Sequence, residues 1–213
     1  MKFSSILAAS VVLGAAMSSA SADVIVTGIM DGDLTGGTPK VIELYINGTE
    51  DLANYTLERS SNGGVFGTST ALSGVYTDAF VYLVGTGDSL ANFQAMFGTF
   101  GDFANTFVTG TVNGNGDDGF RIVDAGLNVV DQVWTEDTTD AYLDSYMYRI
   151  DGTGPDGGWN ASNWLIPGNS VLDTLTLEEQ AALVPFGTYQ IPAPGALALL
   201  GVAGLVGVRR RRA

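Results

Sequence analysis

The 213-residue chain contains no cysteine and no histidine. An exported domain without disulfides must rest on its apolar core alone. The same absences remove zinc sites of the usual Cys/His type, thiol nucleophiles and Ser-His-Asp triads. Basic residues are also scarce, nine Lys/Arg against 23 Asp/Glu, for a net charge of −14. Five of the nine stand at the ends: Lys2, Arg209, Arg210, Arg211 and Arg212. Only Lys40, Arg59, Arg121 and Arg149 lie between, together with all 23 acids, so that stretch carries −19. Such a surface repels nucleic acid and anionic lipid and favours solubility or cation binding. With no basic patch, nucleic-acid binding is excluded. A Ser-Lys dyad would depend on Lys40, and its setting in Pro39-Lys40-Val41 at the start of a strand gives no sign of that role.

The apolar material that stands out lies at the two termini. Met1-Lys2 opens a short positive region, residues 6–16 are apolar, and Ala20-Ser21-Ala22 offers a small-residue cleavage site. This is the pattern of a secretory signal peptide over residues 1–22, cut by signal peptidase to leave Asp23 first. At the other end, Ile191-Pro192-Ala193-Pro194-Gly195 leads into an apolar run without a charge up to Val208, and then into the four arginines. As a helix, residues 193–208 would span about 24 Å at ~1.5 Å per residue. A bilayer core is ~30 Å thick, and snorkelling arginines can close the gap. The arginine block fixes the cytoplasmic side. Pro192 and Pro194 do not fit one continuous helix, so residues 191–195 read as an extended hinge above the membrane.

This order of hinge, apolar helix and basic block resembles the PEP-CTERM sorting signal that exosortases recognise in Gram-negative bacteria with exopolysaccharide. Pro192-Ala193-Pro194 stands where that family has Pro-Glu-Pro. The resemblance implies transient retention in the inner membrane and processing by an exosortase-type enzyme near Pro192, Ala193 and Pro194. The mature form would then reach the cell surface or the exterior, with exopolysaccharide or other surface proteins as partners. The chain accordingly divides into a signal peptide (1–22), one domain (23–190) and a sorting signal (191–213).

The domain, long enough for a substantial core, reads as short strands separated by Gly/Asn/Asp/Ser clusters. Residues 24–27, 40–46, 55–60, 80–84, 120–124, 129–134 and 145–150 show strand patterning, with residues 125–128 as a hairpin connection. In residues 40–46, Ile42, Leu44 and Ile46 share a face opposite Glu43, whereas residues 80–84 are apolar on both faces. Residues 89–97 form a short amphipathic turn or helix, and Thr176-Leu-Glu-Glu179 has capping-box spacing before residues 180–183. The expected architecture is an all-β sandwich with one or two short helices. Ile42, Leu44, Leu57, Phe80, Tyr82, Ile122 and Val133 are expected in one core between two sheets.

A second resemblance rests on Val24-Ile-Val-Thr-Gly-Ile-Met-Asp-Gly, Lys40-Val-Ile-Glu-Leu-Tyr-Ile-Asn-Gly48 and Asp51-Leu-Ala-Asn-Tyr-Thr-Leu57. Gly116-Asp-Asp-Gly-Phe-Arg-Ile-Val-Asp124, Val130-Asp131, and Tyr148-Arg149 with the later Trp159 and Trp164 follow in order. Together they resemble a lamin-tail domain over residues 24–165. That resemblance implies an immunoglobulin-like sandwich acting as a binding or architectural module, with no catalytic residues to inherit.

Local features suggest further chemistry. Asn113-Gly-Asn-Gly-Asp-Asp-Gly119 begins like an EF-hand loop, but Asp118 stands where glycine is needed and residues 120–123 read as a strand. It is a polar turn, or else a Ca2+ site of another kind on Asp117 and Asp118. Residues 31–37 are a loop with the same alternative. Trp134, Trp159 and Trp164 seal an end of the sandwich or, in the alternative, Trp159 and Trp164 stack on glycan. The motifs at Asn47, Asn54 and Asn160 that match glycosylation acceptors read as turns. The resulting expectation is an exported, exosortase-sorted, non-enzymatic surface or matrix protein with no cofactor unless Ca2+ binds. Its alternatives are a calcium-dependent carbohydrate-binding module and a secreted glycoside hydrolase using paired carboxylates.

Overall fold

The computed structural model describes residues 23–134 and 137–191. Strand β1 (Asp23–Leu34) pairs antiparallel with β2 (Thr38–Asp51), where the expected alternation holds: Ile42, Leu44 and Ile46 face one way, Val41, Glu43 and Tyr45 the other. Next come β3 (Tyr55–Ser60), β4 (Phe66–Ala71), β5 (Val75–Val84), β6 (Thr106–Val108), β7 (Gly119–Asp124), β8 (Val129–Val133), β9 (Ser145–Arg149) and β10 (Trp164–Leu165). They form a six-stranded sheet, β10-β9-β1-β2-β5-β6, and a four-stranded sheet, β4-β3-β7-β8. All pairings are antiparallel except β5 with β6. The protein is thus an all-β sandwich with ten strands and two helices among the described residues. Strands β4, β6 and β10 carry no pattern that reads as a strand: β4 is Phe-Gly-Thr-Ser-Thr-Ala, and the others have three and two residues.

Between the sheets, Val24, Val26, Ile42, Leu44, Ile46, Val81 and Leu83 of the larger sheet meet Leu57, Phe120, Ile122 and Val133 of the smaller. Phe80 and Tyr82, expected in this core, lie instead in a second one on the outer face of the larger sheet. The cause is the period of two in β5: its odd-numbered residues point inward, so its aromatics must point outward. A third layer covers them. Helix α1 (Ser89–Phe97) lays Phe93 against Tyr82 at a ring separation of 5.1 Å. Helix α2 (Leu177–Leu183) starts with the expected capping box between Thr176 and Glu179. The segment after α2 completes the cover with Val184, Phe186 and Tyr189.

No helix among the described residues is long and apolar enough to cross a membrane. Ala20, Ala22, Pro192, Ala193, Pro194 and Arg209 to Arg212, with the apolar run that would cross, lie outside the described residues.

Candidate functional site

The outer face of the larger sheet is a seat for the C-terminal segment. In β1 the pairing with β2 shifts between Val26 and Gly28. This bulge turns Thr27 and Gly28 both outward, because Val26 and Ile29 on either side face the inner core. Beside them Glu43 is fully buried. Its Oε1 accepts from Thr27 Oγ1 at 2.6 Å and from the Tyr148 hydroxyl at 3.1 Å, and its Oε2 from the Gly187 amide at 2.6 Å. Burial raises the carboxyl to about 7, while Thr27, Gly187 and Tyr148 pull the other way. The Tyr148 hydroxyl, itself pushed up by burial and by Glu43, accepts the amides of Thr188 at 3.3 Å and Tyr189 at 2.9 Å.

Phe186 fills the space that Gly28 leaves open; a Cβ on Gly28 would sit 2.6 Å from the Phe186 ring. Gly187 turns the chain at φ +77, a conformation that favours glycine, and thereby aims its amide at Glu43. The Tyr189 hydroxyl donates to the Thr153 carbonyl. Gln190 donates its amide to Asp151 Oδ1 at 3.0 Å and accepts the Gly152 amide at 2.9 Å. The chain is therefore held bond by bond from Phe186 to Gln190, and Ile191 packs against the second core. Ile191 immediately precedes Pro192-Ala193-Pro194.

A second polar device ties the two sheets together. Pairing of β1 with β9 stops at Gly28, which leaves the Val26 amide and carbonyl without ladder partners on that side. The amide donates to Asp131 Oδ2 at 2.8 Å, and the carbonyl accepts Arg149 Nε at 2.6 Å. Arg149, fully buried, also donates to both oxygens of Asp131 at 2.8 and 2.6 Å and to Asp156 at 3.0 Å. Burial pushes Asp131 up to about 6 against the pull of Arg149 and the backbone amides. It is ionised at neutral pH.

The residues singled out in the sequence fall into place as follows. Asp118 is buried and accepts the Asn62 amide at 2.9 Å and the Asn115 amide at 2.8 Å, one on each carboxylate oxygen, which closes the loop. Asp117 is partly exposed, and its carboxyl is raised by burial and by Asp118. Asp31 belongs to β1 and forms a buried ion pair with Lys40. The Lys40 backbone amide, not its amine, reaches Ser89 Oγ, at 3.3 Å. Trp134, Trp159 and Trp164 stand in a row with centroid separations of 5.5 and 5.7 Å. Trp164 is buried under the Arg149 guanidinium, 4.8 Å from its ring, and the trio packs on the sandwich core.

Two arrangements escape sequence reasoning. Asp33, Asp144 and Asp173 bring one carboxylate oxygen each within 4.8 Å of the others. Burial, then Asp173 and Asp33, raise Asp144. Nothing in the sequence links three acids so far apart. The Glu43 seat was equally hidden, although Val41 and Tyr45, the apolar neighbours of Glu43 on its own face of the strand, were a usable signal. No protein-family model matches the chain, and no curated protein shows significant similarity to it.

Proposed function

We propose that the chain is the precursor of an exported surface or matrix protein, sorted through an exosortase-type enzyme. Its β-sandwich is of the lamin-tail, immunoglobulin-like type and acts as a non-enzymatic binding or architectural module. The observation that carries the reading is the order of parts from Ile191 to Arg212: two prolines in a short hinge, an apolar run without charge, and four arginines. The fold is compatible with it. A two-sheet sandwich whose buried charged groups Arg149, Asp131, Lys40 and Asp31 are taken up in structural pairs suits a module that presents a surface. The seat on Glu43 and Tyr148 brings the firm end of the domain to Ile191, so processing at residues 192–194 would act on the short stretch between domain and membrane.

Replacing Pro192 and Pro194 together by alanine, in an exporting Gram-negative host that carries an exosortase, tests the proposal. The variant is expected to accumulate in the inner membrane as uncut precursor while the parent is processed. Processing and delivery of the variant at the parent's rate would count against an exosortase-type recognition of this hinge.

A further inference from the structure

The pairing registers define two poles of the sandwich. Asp23 lies opposite Asn47, Val75 opposite Asp51 and Tyr55 opposite Asp124, so these ends and the 125–128 turn share one pole. Strand β9 runs antiparallel to β1 and ends at Arg149, which brings Ile150 to the same pole. The described chain also ends here, with Gln190 bonded to Asp151 and Gly152. Leu127, 81% exposed, and Val75, 66% exposed, stand at this pole, while Ile150 at 47% and Leu165 at 51% flank the exit on the edge of the larger sheet, Leu165 level with Gly28 midway along β1. Ile150, Leu165, Pro185 and Thr188 line a shallow depression of about 390 Å³, next to a hollow formed by Asp151, Gly152, Gln190 and Ile191. The opposite pole carries Asp33, Asp117, Asp140, Asp144 and Asp173, with Val65 exposed there.

The chain beyond Ile191 limits where the exit pole can be. Four residues, 192–195, separate Ile191 from Ala196. Fully extended they reach about 14 Å at ~3.5 Å per residue. The headgroup layer on one side of a bilayer occupies roughly 5–8 Å. The difference, about 6–9 Å, is roughly one side-chain length, so the exit pole stays within reach of the headgroups.

We propose that in the membrane-retained precursor this pole rests on a zwitterionic lipid surface, with Ile150 and Leu165 entering the headgroup layer beside the anchor. The inference rests on the proposed insertion of residues 196–208 into the bilayer. The contact is apolar rather than ionic. Lys40, Arg121 and Arg149 are all committed to ion pairs within the domain. Asp23, Asp51, Asp124 and Asp151 lie near the exit and oppose anionic lipid. Two partly exposed side chains bind lipid weakly on their own, and the tether supplies the effective concentration. The acidic pole is thereby turned away from the membrane, toward whatever the module meets.

The absence of cysteine makes the test direct. Ile150→Cys, Leu165→Cys and Val65→Cys are each labelled with an environment-sensitive dye in the chain from Asp23 to Ala213, purified from membranes and reconstituted into phosphatidylcholine vesicles. Lipids carrying a shallow nitroxide quench the dye wherever it touches the headgroup layer. Several-fold stronger quenching at 150 and 165 than at 65 supports the inference. Equal quenching at all three positions, on protein that floats with the vesicles, overturns it and leaves the anchor reading standing. Protein that does not float with the vesicles overturns both.

Discussion

The two faces of the larger sheet solve the same burial problem with different chemistry. The inner face meets the smaller sheet through Val, Ile and Leu, and the charged device that ties it to that sheet is complete: Arg149 and Asp131 pair and satisfy the Val26 backbone. The outer face is covered by α1, α2 and the C-terminal segment through Phe80, Tyr82, Phe93, Tyr148, Phe186 and Tyr189. Its charged group, Glu43, has hydrogen-bond donors but no cation, so burial raises it to about 7. The counter-charge of Arg149 holds Asp131 to about 6 despite its burial, whereas Glu43, with no cation, rises to about 7 and leaves the layer above it the more sensitive near neutrality. The sandwich is built as the permanent part, whereas the layer that leads to Ile191 has adjustable strength.

Breaking the inner device should have the largest effect. Asp131→Ala leaves Arg149 buried without its counter-charge and is expected to lower stability by about 3–5 kcal/mol in urea unfolding. Replacing both partners with apolar residues of similar volume should recover most of that loss. A small effect from the single change would mean that Asp156 and water replace Asp131 readily.

The outer face is tested by pH. Glu43 has a folded pKa of about 7 against 4.5 for the ordinary side chain. The folded state therefore holds its proton more tightly, and the stability linked to Glu43 is fully present below about pH 4.5 and lost as pH rises through 7. A shift of this size corresponds to roughly 3 kcal/mol at most. Asp31 and Asp131 are also raised, to about 6, and slope the same way, so the comparison must be with Glu43→Gln. The variant should lose the part of the slope between pH 4.5 and 7 that the parent shows. Parallel profiles for the two would show that Glu43 does not titrate in this window.

A smaller effect should isolate the cover itself. Gly28→Ala places a Cβ 2.6 Å from the Phe186 ring and must displace it. The expected loss is about 1–3 kcal/mol, with faster amide exchange in residues 186–190 and little change in β3, β7 and β8. Uniform loosening of both cores would contradict the separation of the two faces.

The smallest predicted change is a gain. Asp144→Asn relieves repulsion from Asp33 and Asp173 and should raise stability by a few tenths of a kcal/mol after solvent screening, less at high salt. If millimolar calcium instead raises the Tm of the parent but not of Asp144→Asn, the three carboxylates are a cation site and the acidic pole acquires a ligand.

The inner face was largely legible. Strict alternation in residues 40–46, 55–60 and 120–124 identifies strands whose burial depends on period alone, and Ile42, Leu44, Leu57, Ile122 and Val133 all sit where that period puts them. Thr176 and Glu179 announced α2 because a capping box is a local motif. The outer face was less so. Phe80 and Tyr82 were recognised as buried, but the layer that buries them is mostly loop, and loops over a sheet leave no periodic trace. Glu43 looked like a solvent-facing residue for the same reason. The carboxylate group at Asp33, Asp144 and Asp173 depends entirely on long-range folding, whereas Asp117 and Asp118, neighbours in sequence, drew attention that the fold directs elsewhere: Asp118 closes its own loop.

The central claim is that the chain is delivered, held and then cut just beyond the point where the outer layer fixes it. Intact-mass measurement of the protein recovered from a host that exports and sorts it reads this directly. The account predicts a mature form that begins at Asp23, ends near Ala193 and keeps the segment from Val184 to Ile191 seated on Glu43 and Tyr148. A mature form that still carries Arg209 to Arg212 would contradict it.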